Sequence, residues 1–196
     1  TEDEMSDEDK KKLPTELILL PIKNMVLFPN VVLPITVARD KSIKALAEAQ
    51  KNGKMIGVIS QKDSANNDPT FDEINKVGTV AEIIKQIKMD DDSITVFIRG
   101  RLRFEVNHWI SNEPFFKANV SYLDDHVPTQ DKEFDAMTSS VKDFADQIVK
   151  KSNNIPPEAA IMLRNIENIS FLNHFIASNL NCDTKEKQAL LEENDF

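Results

Sequence analysis

Glycine, cysteine and histidine are all scarce in this 196-residue chain, and each shortage closes a class of function. The four glycines, Gly53, Gly57, Gly78 and Gly100, cannot be arranged into a GxxxxGK(S/T) phosphate loop or a GxGxxG dinucleotide fingerprint. No GxSxG nucleophile elbow exists either. The single cysteine, Cys182, excludes an intrachain disulfide and a multi-cysteine zinc site, and it suits a reducing compartment. The three histidines, His108, His126 and His174, lie far apart, and none sits in HExxH. No apolar run approaches the roughly 18 residues that a membrane-spanning helix needs, and residues 1–12 do not read as a signal peptide. Basic residues are outnumbered 33 to 24, for a formal charge of −9, which argues against affinity built on neutralising phosphates. That acidity is concentrated at the ends: residues 1–12 and 183–196 each carry −3.

What remains is an ordinary soluble composition, 40% hydrophobic and 29% charged, with patterning that changes midway. Residues 1–14 read as a disordered acidic tail. From Leu17 the runs LILLPI and VVLPITV predict short strands, with prolines confining them to edges or strand ends. Asp40 is placed to cap a helix over 41–51, and Asn52-Gly53 supplies a left-handed stop. MIGVIS (55–60) and 77–89 predict two further strands. Ile94, Val96, Ile98, Gly100, Leu102, Phe104 and Val106 alternate with polar residues, which predicts one long strand bent at Gly100. Residues 116–122 repeat the alternation. The region 15–126 therefore reads as a curled or barrel-like sheet of six or seven strands. Beyond it, in 127–196, the period becomes helical. Phe134, Met137, Val141, Phe144 and Ile148 step by three and four. A break at Asn153–Pro157 precedes a helix starting near Pro157-Glu158. A third helix carries Ile169, Leu172, Phe175, Ile176 and Leu180. Asp183-Thr184-Lys185-Glu186 is a capping box for a fourth, which has no stop signal and reads as continuing. The fold class is α+β, a β-rich lobe followed by an α-helical bundle lobe.

Candidate chemistry is thin. Arg99, Arg101 and Arg103 share one strand face and could bind an anion, but alternation favours a solvated outer face. Asp90–Asp92 lacks the spacing of a calcium loop and fits a hairpin turn. His108-Trp109 reads as packing, and Cys182 as an incidental thiol near a helix start. No catalytic residue and no metal ligand set emerge. The segment Met25-Val26-Leu27-Phe28-Pro29 differs. Apolar residues in a proline-bounded loop suggest an exposed interaction surface, with Met25, Leu27, Phe28 and Pro29 as substrate-binding candidates.

The run LILLPIKNMVLFPNVVLPITVARDKSIKAL (17–46) resembles the start of Lon-type ATP-dependent proteases. GVISQKD (57–63), VGTVAEIIKQIK (77–88), DSITVFIRGRLRFEV (92–106) and EKQALLE (186–192) follow in that family's order. The resemblance covers residues 17–193. Two departures stand out: Asn30 replaces the glycine common after Phe-Pro, and Ile22-Lys23-Asn24 stands where Leu-Arg-Asp is common. Asparagine tolerates the left-handed backbone a glycine would adopt there. The resemblance implies a PUA-like β pseudo-barrel and a helical bundle that recognise unfolded or degron-bearing proteins. It implies no catalysis and no cofactor in this chain. In the parent it implies a hexameric, cytoplasmic, ATP- and Mg-dependent protease with a Ser–Lys dyad. A stand-alone adaptor built on the same domain is the alternative. Neither specific nucleic acid nor membrane is an expected partner.

Overall fold

The computed structural model describes residues 5–126, 131–151 and 165–194. Six strands form one sheet: β1 (Glu16–Ile22), β2 (Val32–Val37), β3 (Met55–Ser60), β4 (Val77–Lys88), β5 (Ile94–Ser111) and β6 (Phe116–Leu123). The described helices are α1 (Asp7–Lys12), α2 (Asp40–Lys51), α3 (Lys132–Lys151), α4 (Ile169–Asn179) and α5 (Thr184–Glu192). The fold is α+β in the expected order.

The sheet order is β2-β5-β4-β3-β1-β6, with β6 also paired to β5. β1 and β3 run parallel, and the remaining neighbours are antiparallel. The 18-residue β5 organises this arrangement. One of its edges pairs with β4, while the other is shared, with β2 on Ile94–Arg99 and β6 on Arg103–Ser111. The sheet therefore curls until β6 returns to β5, leaving β2 attached to β5 alone. This is a pseudo-barrel rather than a regular closed barrel. Its interior holds two apolar clusters, one around Ile56, Val96, Ile98 and the α2 face Ala45-Leu46-Ala49, the other around Leu19, Val80, Phe104 and Phe116.

Several local expectations shift. Arg39, not Asp40, occupies the N-cap of α2, and it makes no side-chain cap hydrogen bond. Asp40 sits instead in the first turn, where the helix dipole favours a carboxylate. Gly53 terminates α2 with φ +84°, as anticipated. Within the stretch read as a disordered tail, residues 7–12 form α1. Ser6 caps it through the Asp9 amide at 3.1 Å, with acids in its first turn and lysines in its last. It is tied down by Lys10–Asp124 at 3.2 Å, and the Tyr122 hydroxyl donates to Pro14 O at 2.7 Å. Polar composition concealed this helix because its anchors are single contacts rather than a buried face.

In the helical half, α4 is capped by Asn168 and α5 by the Asp183–Glu186 box. α5 does not run on: it ends at Glu192, with Glu193 extended. The expected break at Asn153–Pro157, the helix starting at Pro157-Glu158 and the lobe boundary after residue 126 lie outside the described residues.

Gly100 is where the curl of β5 meets the segment crossing over it. Asn30 N donates to Gly100 O at 2.9 Å, and Gly100 N donates to Val31 O at 2.9 Å. A Cβ at position 100 would stand 2.2 Å from Phe28 O. Gly100→Ala should therefore destabilise the domain by roughly 1–3 kcal/mol, the usual cost of overpacking. The midpoint of urea unfolding measures it.

Candidate functional site

The segment between β1 and β2 is not an exposed loop. Asn24 and Asn30 bracket it with positive φ, 55° and 63°. Buried Thr79 donates its hydroxyl to Leu27 O at 2.7 Å, and Ser60 donates to Met25 O at 2.5 Å. Each of these contacts fixes a backbone group that would otherwise lack a partner. So pinned, the segment drives its side chains inward. Leu27 joins the barrel interior, and Pro29 is buried as well. Phe28 is 0% exposed and packs with Val26, Val77, Ala177 and Leu191. That cluster is the seam between the two lobes. The expectation that Leu27, Phe28 and Pro29 form a contact surface therefore needs correction: all three are buried, Leu27 in the barrel interior, and Phe28 with Val26 forms a wedge joining sheet to helices. Four apolar residues in a row look alike in sequence whether they line a loop or fill an interface.

Met25 alone of the four is only half-buried. It lines a groove of about 500 Å³ between the lobes. Met25, Val31, Val32 and Leu33 form one wall, and Phe171, Phe175, Cys182 and Lys187, from α4, α5 and the turn between them, form the other. Val32 is exposed, and Leu33, Phe171 and Phe175 are half-exposed. The groove is thus open and mixed in character: the apolar side chains of Met25, Val32, Leu33, Phe171 and Phe175, several of them adaptable, share its lining with Asn24, Asn30, Ser178, Asn179, Thr184 and Lys187. Sequence periodicity places Phe175 on an apolar helix face but cannot show what that face meets.

Behind the wedge lies a buried ion-pair cluster. Arg103 is 0% exposed although it belongs to the arginine row expected in solvent. Alternation assigns it correctly to the outer face of β5, paired with Thr79 of β4. The helical half covers that face here. The Arg103 guanidinium donates to Leu191 O at 2.9 Å and Glu193 O at 2.5 Å, and it pairs with Asp125 at 2.8 Å. Asp125 in turn meets His174 Nε2 of α4 at 2.9 Å. One side chain thereby gathers β5, the β6 exit, α4 and the C-terminus of α5. It also explains where α5 stops, because a cation at the last carbonyls satisfies groups that a helix end leaves open. Gln188 adds a second buried tie, donating to Val77 O at 3.0 Å. Of the other two arginines, Arg101 pairs with Glu82 at 3.0 Å and Arg99 is half-buried.

Burial pushes the Asp125 carboxyl upward, but the hydrogen bond and charge of His174, together with Arg103, outweigh it and hold the group below its ordinary value of 3.8. No trio of His, Cys, Asp or Glu among the described residues gathers where it could hold a metal. His108 lies on β5 with an exposed side chain, and Trp109 stacks on Phe71 at 4.9 Å. Asp90–Asp92 forms the β4–β5 turn, with Asp92 at φ 63°. No described helix is long and apolar enough to cross a membrane.

Comparison with known proteins agrees with this architecture. Residues 16–196 match the family model described as the ATP-dependent protease La (LON) substrate-binding domain. The chain is 46% identical over 98% of its length to a Lon protease of Flavobacterium johnsoniae and 43% identical over its full length to one of Cytophaga hutchinsonii. It spans 23% and 24% of those two proteins. A solved N-terminal domain of Mycobacterium avium complex Lon protease superimposes with a TM-score of 0.72 at 15% identity, covering 90% of this chain and 89% of that one. A Lon N-terminal domain protein from Xanthomonas campestris gives 0.65 at 17% identity, with 92% and 91% covered. These two structures speak for the fold.

Replacing Arg103 with methionine should leave Asp125 and two carbonyls without their cation and destabilise the protein by about 3–5 kcal/mol, as breaking a buried pair does. Urea unfolding followed by circular dichroism reads this. The sign of the pH effect follows from the lowered Asp125 carboxyl. Its contribution is fully present above the ordinary value of 3.8 and is lost as the pH falls through the depressed folded value. Asp125→Asn should flatten that part of the stability–pH curve.

Proposed function

The chain belongs to the substrate-binding domain family of the ATP-dependent Lon proteases, and from that premise we propose that its interlobe groove holds exposed apolar segments of client polypeptides. The observation that carries this reading is the meeting of half-exposed Met25, Leu33, Phe171 and Phe175 around one open groove whose remaining lining includes hydrogen-bonding groups of Asn30, Ser178 and Thr184. An adaptable wall of methionine and phenylalanine accepts many sequences at modest affinity. In a hexameric parent, six such grooves would convert weak single contacts into effective retention.

The parent, on this reading, degrades misfolded, damaged and regulatory proteins in the cytoplasm. ATP, Mg and the Ser–Lys dyad belong to the three quarters of the relatives' length that this chain does not span. The relatives' greater length favours this over a stand-alone adaptor. Unfolded or degron-bearing proteins are the partners on this reading, and neither a specific nucleic acid contact nor a membrane contact is expected of this chain.

Met25→Ser combined with Val32→Asp should weaken binding of a denatured protein by about tenfold, the ~1.4 kcal/mol of one apolar hot-spot contact. Fluorescence anisotropy with a labelled unfolded substrate measures this. Unchanged affinity in a folded double variant would move the contact surface elsewhere. Phe28→Ala should instead cost about 3–5 kcal/mol of stability. The purified chain should hydrolyse neither ATP nor peptide.

A further inference from the structure

Strand β2 has one open edge. Among the described residues its partner in the sheet is β5 alone. Peptide geometry decides which main-chain groups the open edge presents. Val31 O accepts from Gly100 N of β5 at 2.9 Å, so the N–H of the next amide, Val32, points the other way. Alternation carries this along the strand. Leu33, Ile35 and Val37 turn their main-chain groups toward β5, while Val32, Pro34 and Thr36 turn theirs to the open edge. Two side chains agree with this. Pro34, which has no N–H to give a ladder, sits where the β5 ladder requires none. The Thr36 and Thr95 hydroxyls meet at 3.4 Å, as side chains do in the close pairs that exchange no main-chain hydrogen bonds. The edge therefore offers the N–H and C=O of Val32, the C=O of Pro34, and the N–H and C=O of Thr36. All three residues are exposed.

On the premise that the groove is the client site, we propose that a client polypeptide binds as an extended strand added to this edge of β2. Val31–Leu33 line the groove, and Pro34–Arg39 line a second cavity of about 470 Å³. Met25 lines both. Open space thus follows the whole strand, roughly 20 Å at about 3.3 Å per residue. A stretched polypeptide matches a slot of that length with donors and acceptors along one side and Met25, Val32 and Leu33 beside them. Hydrogen bonds to main chain are indifferent to sequence, which lets one site take clients of varied composition. Pro34 sets the strength. It withholds the central donor, so two full rungs are separated by half a rung, and capture stays weak and reversible. It also disfavours a second copy as the occupant. In a two-fold pair centred on Pro34, two prolines would oppose each other with two carbonyls and no donor between them.

A fluorescein-labelled decapeptide of alternating valine and glutamine tests the pairing by anisotropy against the 196-residue chain. Two N-methylated versions, one methylated at every valine and the other at every glutamine, block opposite edges of the peptide strand. One should lose affinity at least tenfold and the other should keep it, because a single set of amides faces β2. On the protein side, Thr36→Pro removes an open-edge donor that the β5 ladder does not use. It should weaken the unmodified peptide about three- to tenfold. Thr36→Val keeps that N–H and should bind as the native chain does. Should the proline variant misfold, the methylated pair still decides. Equal affinities of the two methylated peptides overturn the proposal, and if Met25→Ser with Val32→Asp still weakens binding, the groove survives without the strand pairing. A folded Met25→Ser, Val32→Asp variant of native affinity removes the groove and this proposal together. A folded Thr36→Pro variant that alters the chain's mass in solution but not its peptide affinity assigns the edge to a second copy and also overturns it.

Discussion

A single buried cation holds the molecule's two halves in register. Arg103 is carried on the outer face of the longest strand, and its partners come from elements far away in the chain: Asp125, the carbonyls of Leu191 and Glu193, and, through Asp125, His174. Burying such a group is costly unless charge and hydrogen bonds are both supplied, and they are supplied only when the helical half is docked. The energetic demand of one arginine therefore enforces the relative position of sheet and helices. The Phe28 wedge fills the remaining seam with apolar area, and Gln188 ties α5 to β4. The groove exists because these contacts hold its two walls at a fixed separation.

How much of this was legible in the sequence depended on the range of the interaction. Local signals translated well. The Asp183–Glu186 capping box, the Gly53 stop, the alternation from Ile94 to Val106 and the left-handed tolerance of Asn30 all correspond to features of the chain. Each depends on residues within a few positions of one another. The role of Arg103 depended instead on an element some ninety positions away, and alternation carries no information about what covers a strand face. The Met25–Pro29 segment failed for the same reason: its pins, Ser60, Thr79 and Gly100, are distant in sequence. Family resemblance identified the domain but not which of its apolar residues remain available.

The groove is concave and bounded by side chains that adapt, with hydrogen-bonding groups of Asn30, Ser178 and Thr184 among them, which suits clients of varied sequence.

The central claim is that the docked lobes create the polypeptide-binding groove. Photo-crosslinking of an apolar peptide to the intact chain, with labelled residues mapped by mass spectrometry, tests it most directly. Labels are expected on both walls, at Met25, Val32 or Leu33 and at Phe171 or Phe175, and are expected to be lost together in Arg103→Met. Labels confined to one lobe, or unaltered by loss of the arginine, would contradict it.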